Sequence, residues 1–180
     1  MKDLESKKDK FIRRELWMLT YMAAFQRANI YTKLDQVSEK ARKEFRDGMF
    51  IWCNELVEQQ YHAEVSGEKH IENIHALVKY TSKYFPDILD NRRIKFGIAQ
   101  KILNLYLKYL WCIGDIPTPP HFPIDRIIQD LLKLPKRYSW TKMDSVEEYK
   151  MVINQSKKVM NRKQFSSLSE LELKYYNRPR

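Results

Sequence analysis

The sequence predicts an all-α fold, a single-domain compact helical bundle of about six to eight helices. Three observations carry that prediction. Glycine is scarce, at 4 of 180 residues, and Leu, Ile, Lys and Glu dominate, which favours helices over a turn-rich sheet protein. Apolar residues recur at three- and four-residue spacings. Helix start signals and Pro or Gly stop signals punctuate the chain at matching intervals.

Each element follows in order. Residues 1–9 read as a charged flexible tail, and residues 10–180 as the single all-α domain. Phe11 to about Tyr31 carries Ile12, Leu16, Trp17, Leu19, Met22, Ala23 and Phe25, enough to place a helix in the core. A second helix, from about Asp35 to Ala63, repeats Val37, Ala41, Phe45, Trp52 and Leu56, with Gly48 marking a bend or a close crossing. Ser66-Gly67 interrupts the pattern. A third helix from about Glu68 to Phe85 is stopped by Pro86.

The most apolar helix runs from about Ile98 to Ile113, with Gly114 as its terminator. The following segment, IPTPPHFP, is an extended connection, because prolines lack donors and constrain their predecessors. Asp125 caps a helix through about Leu134. Asp144-Ser145-Val146-Glu147-Glu148 and Ser167-Leu168-Ser169-Glu170 contain capping-box patterns that open the last two helices.

The formal net charge is +10, which would concentrate any polyanion, nucleic acid foremost. From Leu131 to Arg180 the excess is steep, with 12 Lys or Arg against 5 Asp or Glu. Two cysteines, Cys53 and Cys112, sit inside apolar helical patterns and read as small buried hydrophobes of a reducing compartment. Neither they nor His62, His70, His75 and His121 show metal-ligand spacing, so no metal and no cofactor is expected. No apolar run is long enough to span a bilayer, and the charged start MKDLESKKDK is unlike a secretory signal. An intracellular, soluble, cytoplasmic protein with no membrane partner is the expectation.

Within the apolar helix the polar exceptions are Lys101, Asn104 and Lys108. Their spacing of three then four puts them on one stripe. A buried ammonium is costly unless paired or reached by water, so the stripe either lines a groove or faces solvent. Lys101 stands near the helix start, where the positive end of the macrodipole disfavours a cation and where free backbone N–H groups suit a phosphate.

The run Gly97-Ile98-Ala99-Gln100-Lys101 with its apolar continuation, followed later by Pro123-Ile124-Asp125, resembles the helix-hairpin-helix DNA glycosylase superfamily. In that family's motif a glycine turn precedes a lysine and an apolar helix, and an aspartate opens the next helix. Ala99 stands where the motif has its second glycine. The resemblance implies Lys101 as a nucleophile toward a sugar C1′ and Asp125 as the catalytic carboxylate. It also implies a DNA phosphate on the backbone around Gly97 and Ala99, and a flipped base stacked on Trp111, Phe122, His121 or Tyr106.

The basic stretch Lys133, Lys136, Arg137, Tyr138, Trp140 and Lys142 interleaves cations with aromatics, a mixture suited to phosphate contact and base stacking. Asn104 and Lys108 would extend that nucleic-acid surface from the central helix, and Lys157, Lys158, Arg162 and Lys163 from a later one. The expectation is a basic helical protein that binds nucleic acid, DNA ahead of RNA, with glycosylase-like chemistry at Lys101 and Asp125 as its sharper form. The alternative is a non-catalytic inhibitor or adaptor whose basic surface binds an acidic protein partner.

Overall fold

The computed structural model describes residues 2–26, 28–33 and 36–176, with the side chains of residues 2, 3 and 5 left aside. Seven α-helices are present among these residues: α1 (Lys2–Phe25), α2 (Glu39–Leu56), α3 (Gly67–Tyr84), α4 (Phe96–Cys112), α5 (Arg126–Leu131), α6 (Val146–Lys163) and α7 (Leu168–Tyr175). No strand occurs among them; an isolated bridge joins Tyr31 to Leu89. No described helix is long and apolar enough to cross a membrane. The all-α bundle expected from the sequence is the fold.

α4 forms the axis. From Phe96 to Leu110 every residue except Tyr109 is buried, and α1 and α3 flank it. Trp17 of α1 meets Tyr106 of α4 edge-on, with ring centroids 5.6 Å apart. The aromatic cluster continues through Phe50, Phe25 and Phe45. Such edge-to-face pairs add to the burial of large apolar area that drives the core together.

Local chemistry sets the helix ends. Ser38, Ser66, Asp125, Ser145 and Ser167 each accept a hydrogen bond from a first-turn backbone N–H, as N-caps do. Gly114 takes a left-handed φ of +80°. That lets Asp115 N–H reach back to Leu110 O and close α4 with a six-to-one bond. Gly48 marks a close crossing: a Cβ there would lie 2.9 Å from Phe85 Cζ and Tyr80 Oη.

Several boundaries differ from expectation. Residues 2–9, read as a tail, belong to α1. That helix ends at Phe25 rather than near Tyr31, because the Thr32 N–H and the Ile30 carbonyl pair with the Ile88–Asp90 backbone instead; Arg27, inside the expected span, lies outside the described residues. The expected start of the second helix, Asp35, also lies outside them. Beyond Leu56 the backbone widens into a π turn, Val57–Tyr61. Cys53 is buried as expected, but Cys112 is exposed.

Candidate functional site

The start of α4 is closed rather than open. Lys95 is its N-cap residue and supplies no side-chain bond. Its first amides are nevertheless all engaged. Phe96 N–H donates to Asp144 Oδ1 at 3.2 Å, and Gly97 N–H donates to Met143 O at 2.9 Å. Ile98 and Ala99 N–H both donate to Lys95 O. The amides expected to hold a phosphate are therefore paired within the chain.

Gly97 sits in the first turn of α4, not in a hairpin. Its lack of a Cβ has a packing reason. A Cβ would run into the Trp140 carbonyl oxygen and lie 2.9 Å from Met143 Cβ. The glycine lets the 139–143 loop lie flat on the helix. Ala99 is fully buried in the core.

Lys101 and Asp125 do meet. Lys101 Nζ donates to Asp125 Oδ2 at 2.7 Å, while Asp125 Oδ1 accepts from Ile128 N–H at 3.0 Å and so caps α5. One carboxylate thus neutralises a buried ammonium and satisfies a helix end. Trp140 covers this pair, its ring centroid 5.9 Å from Lys101 Nζ. The tryptophan is 8% exposed, so it packs rather than offering a free stacking face.

Two turns along the stripe, Lys108 Nζ meets Glu172 Oε2 at 2.6 Å, beneath the Tyr176 ring at 4.1 Å. Burial of the Glu172 carboxyl pushes its pKa up, although Lys108 opposes the shift. The stripe is therefore not solvent-facing. Its two lysines are paired inward with carboxylates from α7 and the α5 cap, the compensation a buried charge requires.

Asn104, between them, anchors a buried polar network whose proton positions follow from the backbone. Gln100 Oε1 accepts from Ile124 N–H, and Gln100 Nε2 donates to the Gly97 and Ile124 carbonyls. Its oxygen therefore faces Asn104, which must present Nδ2 to it at 3.2 Å. Asn104 Oδ1 then faces His70 Nε2 at 2.8 Å, so that nitrogen carries the proton. His70 Nδ1 accepts from the Tyr61 hydroxyl at 2.7 Å, which in turn accepts from Asn73 Nδ2 at 3.1 Å. On the other branch Asn104 Nδ2 donates to the Tyr149 hydroxyl, which is hydrogen-bonded to His121 Nδ1 at 3.0 Å.

Burial holds His70 down to about 4. It also lowers His121 well below the ordinary histidine range, with His70 and Lys157 adding to the effect. Both rings are neutral at physiological pH. His121, Phe122 and Tyr106 are buried and Trp111 is half-buried, so three of the four expected stacking residues lie inside the bundle.

The basic loop is placed differently. Lys133, Lys136, Arg137 and Lys142 are exposed, and Tyr138 is half-buried. Arg137 pairs with Asp130. Lys136 Nζ lies over the Tyr138 ring at 4.8 Å. The loop is pinned to α6 by Lys136 N–H donating to Gln155 Oε1 at 3.2 Å and by Tyr138 Oη donating to Met151 Sδ at 3.0 Å.

Sequence reasoning passed over Glu172 and Tyr149, weighed His70 only for metal-ligand spacing, and gave Gln100 no role of its own. A signal existed for two of them. Glu172 shares the core-facing spacing of Leu168 and Leu171, and His70 that of Ile74 and Leu77. No group of three or more His, Cys, Asp or Glu among the described residues could hold a metal. Comparison of the chain with protein-family models, with curated proteins and with solved structures finds no match.

Proposed function

We propose that this protein binds nucleic acid through one cationic surface formed by α6 and the loop before it. The observation that supports this is the seating of the loop. Met151, Gln155, Lys158 and Arg162 recur at four, three and four residues, so they share a face of α6. The loop bonds to the first two of these residues, which seats it on the same face of α6 as the last two. Lys150, Lys157, Lys158, Arg162 and Lys163 are all exposed, and α6 holds no acidic residue beyond Glu148. Among the described residues none of these cations is in an ion pair, though Lys163 lies over the Tyr175 ring; cations along one helix suit a phosphate backbone, and each neutralised phosphate releases condensed counterions.

The reading is of binding rather than chemistry. The Lys101 amine is engaged by Asp125, and the amides at Gly97 and Ala99 are paired within the chain. A glycosylase step would have to break both arrangements before it began.

The deciding experiment is a titration of duplex DNA into the protein across a salt series. A straight log–log decline of affinity with salt, of slope about −0.9 for each phosphate contacted, supports the reading. Absence of binding at low salt removes it and leaves an acidic protein partner as the occupant of the same cations.

A further inference from the structure

We infer that the groove between α3 and the Arg93–Asp144 pair is a binding site for a small phosphorylated molecule with a flat apolar part, of the mononucleotide class. The groove is a cavity of about 300 Å³, at the small end of the range for ligand sites. None of its lining residues belongs to the α6 surface, so the inference stands apart from the nucleic-acid reading.

One wall is a stripe of α3. His75, Lys79 and Ser82 are spaced by four then three residues, so they point the same way, and all three are exposed. Among the described residues no carboxylate lies within ion-pair distance of Lys79, and no protein group bonds the Ser82 hydroxyl. The ammonium and the hydroxyl, three residues apart on one face, are thus free donors aimed at one cavity.

The opposite wall is held rigid. Arg93 Nη1 and Nη2 donate to the two oxygens of Asp144, each at 2.8 Å. Asp144 is itself fixed by Phe96 N–H, and the Arg93 guanidinium holds its carboxyl below the usual carboxylate range. Two permanent cations against one carboxylate leave the lining positive, and that favours an anion. Arg93 and Lys79 both line the cavity.

The floor supplies the rest of the selection. Val78 and Phe96 line it, and the His75 ring stands edge-on to Phe96 with centroids 4.9 Å apart. The exposed His75 ring beside free phosphate donors fits a planar ring carrying a phosphate group, the ring against His75 and the phosphate against Lys79 and Ser82.

The test is an NMR titration of the full chain with adenosine monophosphate and, separately, with inorganic phosphate, reading the His75 imidazole and the α3 amides. Saturable binding is expected, tighter for the nucleotide than for phosphate. It should weaken about tenfold in Lys79→Ala and severalfold in Ser82→Ala. The substitution Lys79→Arg should retain most of it, and a Lys157→Ala, Lys158→Ala control should leave it unchanged. Shifts that never saturate, that survive Lys79→Ala, or that weaken equally in the α6 control overturn the site. Nucleotide binding no tighter than phosphate binding overturns the aromatic part. Circular dichroism of each variant confirms that the bundle is intact; Lys79 and Ser82 are exposed, so neither change touches the core.

Discussion

Lys101 Nζ lies 2.7 Å from Asp125 Oδ2, and the second oxygen of that carboxylate caps α5 through the Ile128 N–H. The pair therefore joins the central helix to the one that follows the proline-rich connection. Replacing Asp125 by Ala removes the cap and strands a buried ammonium, at a cost of about 3 kcal/mol. Asp125→Asn retains an oxygen for the cap and should fall between the two. Urea denaturation of the three proteins checks this; equal midpoints for wild type and Asp125→Ala would show that the ammonium finds water instead.

The same geometry predicts the outcome of a trapping experiment. Borohydride captures a Schiff base between a lysine and an abasic site. With Lys101 held by Asp125 and covered by Trp140, no covalent complex with abasic DNA should form. Lys101→Ala should leave DNA affinity within about twofold, since the α6 cations are untouched. A trapped complex that disappears in Lys101→Ala would restore the catalytic assignment.

Stability should fall on mild acidification, through His70. Its folded pKa is held down to about 4, whereas the unfolded histidine titrates near its ordinary 6.5. Between those values the unfolded chain binds more protons, so stability is fully present above pH 6.5 and is lost as the pH falls toward 4. The difference corresponds to about 3 kcal/mol. His121 acts in the same direction. Denaturant midpoints measured from pH 7.5 to 4.5 should show the slope, and His70→Gln should flatten it. A flat wild-type profile would mean that the buried network accepts a proton without penalty.

Gly97→Ala opposes two effects of known size. Alanine gains about 1 kcal/mol of helix propensity over glycine. The added methyl would meet the Trp140 carbonyl and Met143, and backbone cannot swing aside as a side chain can. Overpacking of this kind costs about 1–3 kcal/mol, and the pairing of Gly97 N–H with Met143 O would be lost with it. Net destabilisation by about 1–2 kcal/mol is expected from thermal or urea unfolding. A variant more stable than wild type would show that the loop moves freely.

Much of this fold is written locally, and so was legible. The Ser145 and Ser167 capping patterns place α6 and α7 within two residues of their starts, because an N-cap bond spans only three residues. Gly114 ends α4 for an equally local reason. The stripe of Lys101, Asn104 and Lys108 was legible as a stripe, but its burial was not. Glu172, the Lys108 partner, lies far along the chain, and Asp125 arrives through a proline-rich loop. Periodicity says which residues share a face; it does not say what covers that face.

Gly97 shows the same limit from the other side. A glycine before an apolar helix reads as a turn, yet here its reason is the Trp140 loop some forty residues later, which no local pattern announces. Trp140 likewise lies among cations in sequence, while in the structure its ring turns inward over Lys101. Short motifs fix residue type and spacing, whereas a site also needs free donors, and those depend on long-range pairing.

The α6 surface makes the most direct prediction about function. Alanine at Lys150, Lys157, Lys158 and Arg162 removes four exposed cations while leaving Tyr149, Val152, Ile153, Ser156 and Val159 in the core. Stability should change little, since exposed charges contribute little to it. Duplex DNA affinity at low salt should fall at least about tenfold, and the log–log salt slope should become shallower by about 0.9 for each phosphate contact removed. The parallel set Lys7→Ala, Lys8→Ala and Lys10→Ala on α1 carries a similar charge change on another helix. If it weakened DNA binding as much as the α6 set, attraction would come from net charge, and no one surface would be the interface. Loss confined to the α6 set would place the phosphate track along Lys158 and Arg162, beside the loop that Gln155 and Met151 hold in place.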